Sequence, residues 1–272
     1  MATKLYPTLK EIYNAFSPRR EYVHYLPIAR YILYPVSFLL TWLAIRIGLT
    51  TETTAWLSGF VGLMGYLCLL SNQEYLLPIG IGLFVFFNIL DCVDGSIART
   101  MKTQNPYGRF LDSLMGWIDM GFWALIGVVA YRHPELLCWP NPLDKEVIVW
   151  LAIGGLTCYF SILIRYIEGI FDKSLRDDWD KLSGEQEINI SKKGVIENRK
   201  VSYSFILNIV RKINHNLRVR ETTYFLLILA YLCNTIDLLL ITYLFYYFMH
   251  TIILVIIYSI RGRQLLRSRY KR

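Results

Sequence analysis

Long apolar runs, each closed by charged or turn-forming residues, constrain this chain more than any other feature. Residues 53–71, 75–99, 108–131 and 146–167 each approach the length a helix needs to cross a hydrocarbon core. The run from Thr222 to Ile260 is too long for one crossing and is expected to break near Asn234 to Asp237. The pattern predicts an all-α integral membrane protein with six transmembrane helices. Residues 26–48, LPIARYILYPVSFLLTWLAIRIG, read differently. Their uncharged part, Tyr31 to Ile45, is short, contains Pro35 and is bounded by Arg30 and Arg46. It is predicted to be an interfacial amphipathic helix ahead of the first span.

The formal charge of +8 would suit a nucleic-acid partner, but the basic residues sit beside the apolar runs. That is the distribution of membrane flanks facing anionic headgroups, so no nucleic acid is expected. Six spans place the N-terminus, the 100–107 turn, the 168–220 loop and the C-terminal tail on one side. The loop carries eleven Lys or Arg and the tail RGRQLLRSRYKR six, whereas the opposite loops hold only Arg132 and Lys145. The basic side is predicted to be cytoplasmic, and the chain is read as a single membrane-embedded domain. The stretch SFILNIVRKINHNLR within the loop has helical apolar spacing, either as an amphipathic surface helix or as a helix packed on the protein's own face. No signal peptide is apparent, because the first twenty residues lack an apolar core. Cys68, Cys92, Cys138, Cys158 and Cys233 are scattered without metal-site spacing and are expected to be free thiols.

Against this apolar background one stretch is anomalous: DCVDGSIARTMKTQNPYGRFLDSLMGWID, residues 91–119. Asp91 and Asp94 close one apolar run, and Asp112 and Asp119 lie near the start of the next. As helices, the first run puts Asp91, Gly95 and Ala98 on one face. The second aligns Gly108, Asp112 and Gly116 at four-residue steps. A short polar turn from Thr100 to Tyr107 makes the two helices antiparallel, so the carboxylates converge near one membrane face. An Asp at mid-bilayer costs roughly 2.5–3.5 kcal/mol, so packing alone does not account for such a group. A purely structural clamp would pair Asp91 or Asp112 with Arg99 or Arg109, but it predicts neither the glycines nor the spacing. Clustered carboxylates among small residues suit a hard divalent cation carrying phosphates.

The stretch resembles the signature of the CDP-alcohol phosphatidyltransferase family, D-x-x-D-G-x-x-A-R, eight residues, then G-x-x-x-D-x-x-x-D. Asp91, Asp94, Gly95, Ala98, Arg99, Gly108 and Asp112 match it, and the final position is Gly116. The resemblance implies a phosphotransferase that moves a phospho-alcohol group from a CDP-alcohol donor to an alcohol or lipid acceptor, releasing CMP in lipid synthesis. It implies Asp91, Asp94 and Asp112 as ligands of Mg²⁺ or Mn²⁺, a nucleotide pocket shaped by Gly95, Ala98, Arg99 and Gly108, and a homodimer. In the family the final Asp is the general base.

At Gly116 four arrangements are open. The chain is a catalytically silent relative, or Asp119, one turn further on, replaces the base. Alternatively another group, such as a substrate phosphate acting through water, takes the proton, or a native Asp has been replaced. Two other functions compete: a non-catalytic family member binding a CDP-lipid or a partner, and an ion-coupled transporter using the intramembrane acids. The lack of internal repeats and the gathering of acids at one face argue against the transporter.

Overall fold

The computed structural model describes residues 6–17, 23–139, 148–178 and 212–270, with side chains up to 267. Most of the 168–220 loop, including 204–211 of the expected surface helix, lies outside the described residues. Among the described residues the chain is helical and contains no strand. We label the helices α1 (Leu9–Ala15), α2 (Tyr34–Arg46, preceded by a π-helical turn, Ala29–Leu33), α3 (Thr51–Leu70), α4 (Leu76–Met101) and α5 (Pro106–Gly116). A 3-10 segment, Trp117–Gly121, leads to α6 (Phe122–Arg132). Then come α7 (Val149–Ser174), α8 (Arg220–Leu232) and α9 (Ile236–Tyr270).

Among the described residues, five helical stretches are long and apolar enough to cross a membrane: α3, α4, the α5–α6 run, α7 and α9. The chain is a multi-pass integral membrane protein. The expected fifth span corresponds to α8, which has 13 residues. At 1.5 Å per residue it is about 20 Å long, against a core of about 30 Å. The break expected near Asn234 is present. Asn234 adopts φ 53°, a left-handed conformation that asparagine tolerates and that ends α8 before α9 begins. The third span is not one continuous α-helix. It tightens over Trp117–Gly121, bracketed by two glycines, which are weak helix formers.

Residues 29–46 are helical, as the sequence implies. Val36, Leu39, Leu43 and Ile47 form an exposed apolar stripe, while Ser37 and Thr41 are buried. Both hydroxyls donate to the preceding turn of their own helix, Ser37 to the Tyr34 carbonyl and Thr41 to the Ser37 carbonyl. The buried polar groups are thereby satisfied without help from a neighbour.

The chain divides into two compact units. The first holds α1 to the 3-10 segment, Glu135–Cys138 and α8. Here α3 packs against both α4 and α5. Small residues line its inner face: Gly62 and Gly65 admit the rings of Phe87 and Phe84, both fully buried, to within 3.3 and 3.2 Å of where a Cβ would stand. Ala55 packs with Leu111 and Met115 of α5. Close approach over small residues is how helices associate where lipid and side chain are equally apolar. The second unit holds α6, α7 and α9 from Asp237. In it α6 and α7 touch backbone to backbone, a Cβ at Gly127 falling 2.8 Å from the Gly154 Cα. Trp123 lies 4.2 Å from Tyr243, and Phe171 stacks on Tyr258 at 4.0 Å between ring centres. All five cysteines are free thiols, as expected.

Candidate functional site

α4 carries the first acids and ends about two turns after Asp94 and Gly95. Lys102, at φ 55°, closes it, and the Thr103 N–H returns to the Ala98 carbonyl at 3.0 Å. Asn105 then starts α5, its Oδ1 accepting from the Gly108 N–H at 2.7 Å, with Pro106 at the first helical position. These paired stop and start signals turn the chain within four residues. α3, packed against both helices, braces the arrangement.

The turn brings Asp91, Asp94 and Asp112 together. One carboxylate oxygen from each lies within 4.8 Å of the other two. Asp94 is buried, Asp91 partly so and Asp112 exposed, so the group opens outward along α5. Asp119 is not part of this group among the described residues. It lies in the 3-10 segment, and its Oδ1 accepts from the Tyr224 hydroxyl at 2.7 Å. At Gly116 a Cβ would meet nothing within 4 Å.

The motif's small residues have visible work. Arg99 folds back one turn, its Nη2 donating to Ser96 Oγ at 3.1 Å, and its Nη1 would stand 3.1 Å from a Cβ at position 95. Glycine at 95 therefore lets the guanidinium lie against the helix beside Asp94. Gly108 sits over the Asn105 side chain, where an added Cβ would stand 3.5 Å from Oδ1, while Ala98 serves the α4 terminus through its carbonyl.

The cationic partner of Asp91 is neither Arg99 nor Arg109. Arg220, the first residue of α8, donates from Nη2 to Asp91 Oδ2 at 2.7 Å. One turn later Tyr224, fully buried against Phe84, holds Asp119. Sequence reasoning missed both. The available signal was an arginine and a tyrosine four residues apart where a polar loop meets an apolar run.

The three carboxylates sit inside a recognisable segment. Residues 49–168 match the family model CDP-alcohol phosphatidyltransferase. The resemblance carried by the motif is borne out across that segment, from the start of α3 into α7. Comparison with curated proteins returned no match. The matched family is a transferase family acting on CDP-alcohols in lipid synthesis, and the three-carboxylate group has the donor set for a divalent ion.

Proposed function

We propose that the chain is a membrane phosphotransferase moving a phospho-alcohol group from a CDP-alcohol to a hydroxyl acceptor, with release of CMP. The observation that supports it most is the meeting of Asp91, Asp94 and Asp112 within 4.8 Å in a segment matching that family. Mg²⁺ or Mn²⁺ held by these carboxylates would neutralise and orient the donor's diphosphate oxygens.

The chain's own residues supply the rest. Arg99, laid back over Gly95, offers a cation beside the carboxylates for the donor's phosphates. The outward opening at Asp112 and the free space at Gly116 leave a path for the acceptor. The acceptor oxygen attacks the β-phosphorus, the bond from that phosphorus to the bridging oxygen breaks, and CMP leaves with the bridging oxygen. The hydroxyl proton goes to a base; Asp119 is the candidate within this chain, oriented by Tyr224. An ionised carboxylate accepts several hydrogen bonds, so the Tyr224 contact does not exhaust it. We place the site and both termini on the cytoplasmic side from the basic-residue asymmetry, treat the chain as one functional domain, and take a homodimer from the resemblance.

A second reading, a non-catalytic binder of a CDP-lipid, is favoured by one observation: Gly116 carries no carboxylate where the family has its base. Purified protein given pooled CDP-alcohols, acceptors and Mg²⁺ separates the two. CMP release supports the transferase. Nucleotide binding without CMP from any donor supports the binder.

A further inference from the structure

Arg220 lies outside the segment matching the family model, yet its side chain reaches the carboxylate group. Arginine and carboxylate commonly close as two parallel hydrogen bonds. Here only one forms, Nη2 to Oδ2 at 2.7 Å. The second arm, Nη1, and the second oxygen, Asp91 Oδ1, are both buried and have no hydrogen-bond partner among the described residues. The guanidinium also lies over Phe87, a fully buried ring whose centre is 5.5 Å from Cζ. Beyond Asp91, the groups facing it include Tyr224, Asp119 and Glu221, on its own helix and on the 3-10 segment.

An orphan donor and an orphan acceptor within one ion pair fit a ligand that carries both signs. Asp91 shares its group with Asp94 and Asp112, which suits a cation, and Nη1 suits an anionic oxygen. A divalent cation bearing a phosphate presents both at once. We propose that Arg220 is a phosphate anchor, binding through Nη1 an anionic oxygen of the phosphate that accompanies a cation at Asp91, Asp94 and Asp112. The proposal rests on the functional reading above and adds to it a residue 129 positions from Asp91 on a separate helix.

The test uses full-length protein in phosphatidylcholine nanodiscs. Mn²⁺ alone is titrated by electron paramagnetic resonance, then inorganic pyrophosphate is titrated onto the Mn²⁺-loaded protein by calorimetry. In Arg220→Gln, Mn²⁺ is expected to bind as tightly as in the unmodified protein or more tightly, since a competing cation beside Asp91 has gone. Pyrophosphate affinity is expected to fall about 10- to 100-fold, the scale of a lost charge-assisted hydrogen bond. Arg220→Lys, which keeps the charge and loses the fork, is expected to fall between the two, and decides the matter if the Gln variant does not fold. Adding phosphatidic acid to the disc distinguishes the sources: competition assigns the anchor to a lipid phosphate, and its absence assigns it to a soluble diphosphate. Unchanged pyrophosphate affinity in both variants overturns the proposal while the metal reading stands. Joint loss of Mn²⁺ and pyrophosphate in Arg220→Gln, restored together by Lys, also overturns it and makes Arg220 only a pin for Asp91. If the unmodified protein binds no Mn²⁺, both readings fail.

Discussion

Two pairs of helices in this protein use glycine for opposite ends. Between α6 and α7, Gly127 and Gly154 are consumed by contact: the two Cα atoms meet where side chains would be. Around α4 and α5 the motif glycines leave room instead. Position 116 faces open space, and position 95 carries the folded-back Arg99. The first pair contains no acid at its crossing, while the second gathers three carboxylates. Small residues filled by backbone mark packing, whereas small residues around clustered charge mark a place for something else to bind.

The largest expected effect comes from removing the charge. Asp91→Asn, Asp94→Asn and Asp112→Asn should each lower Mn²⁺ affinity by at least about 10²-fold, since even outer partners of a metal ligand are worth about 10–100-fold. CMP release should fall with it. Wild-type Mn²⁺ affinity in all three variants would erase the contrast between the two helix pairs and leave the acids as a structural clamp.

The open space at position 116 sharpens the comparison next. Gly116→Asp meets no steric obstacle, and a positioned general base is worth about 10²–10⁴-fold. CMP release should rise by that order if the motif otherwise functions. If Asp119 already serves as base, the gain should be absent, and Asp119→Asn should abolish CMP release with Mn²⁺ binding intact. Neither effect under any donor would favour the non-catalytic reading.

Much of this contrast could be read in the residues, and the reasons are local. A carboxylate in an apolar helix is conspicuous, and the turn between α4 and α5 has its own signals in Asn105 and Pro106. The break at Asn234 was legible for the same reason. Arg220 was not, because its partner is 129 residues away and only packing of α8 on α4 brings them together. Nor did apolar spacing distinguish the 3-10 tightening at Trp117–Gly121 from continuous helix, or show that α8 is too short to cross unaided. The Gly127–Gly154 contact was equally hidden, since isolated glycines in apolar runs do not name their partners.

The packed pair should break on overfilling. Gly154→Val puts atoms where the Gly127 Cα lies, 2.6 Å from the Cβ position. Overpacking costs about 1–3 kcal/mol, more where backbone must move. Thermal unfolding in detergent should show a clear loss. Gly155→Val, one residue on, meets nothing within 4 Å and should unfold like the unmodified protein. Equal stability of the two variants would mean that the close contact does not hold α6 to α7.

The smallest effect should come from Gly95→Ala, where two consequences have opposite signs. Replacing glycine within a helix favours folding by roughly 0.5–1 kcal/mol. The added Cβ would stand 3.1 Å from Arg99 Nη1, too close by a few tenths of an ångström. That atom is the tip of a flexible side chain, so it shifts rather than strains the backbone, and helix stability should rise slightly. The shifted guanidinium, however, no longer lies where it met Ser96 and the neighbourhood of Asp94. Donor binding should therefore weaken by less than the about 1.5–3 kcal/mol of a charge-assisted hydrogen bond lost outright. The signature is a protein that melts higher and binds nucleotide donor more weakly. A higher melting point with unchanged donor affinity would show that Arg99 does not touch the donor. A lower melting point would mean that position 95, like 127 and 154, is packed rather than open, and the contrast between the two pairs would narrow to the carboxylates alone.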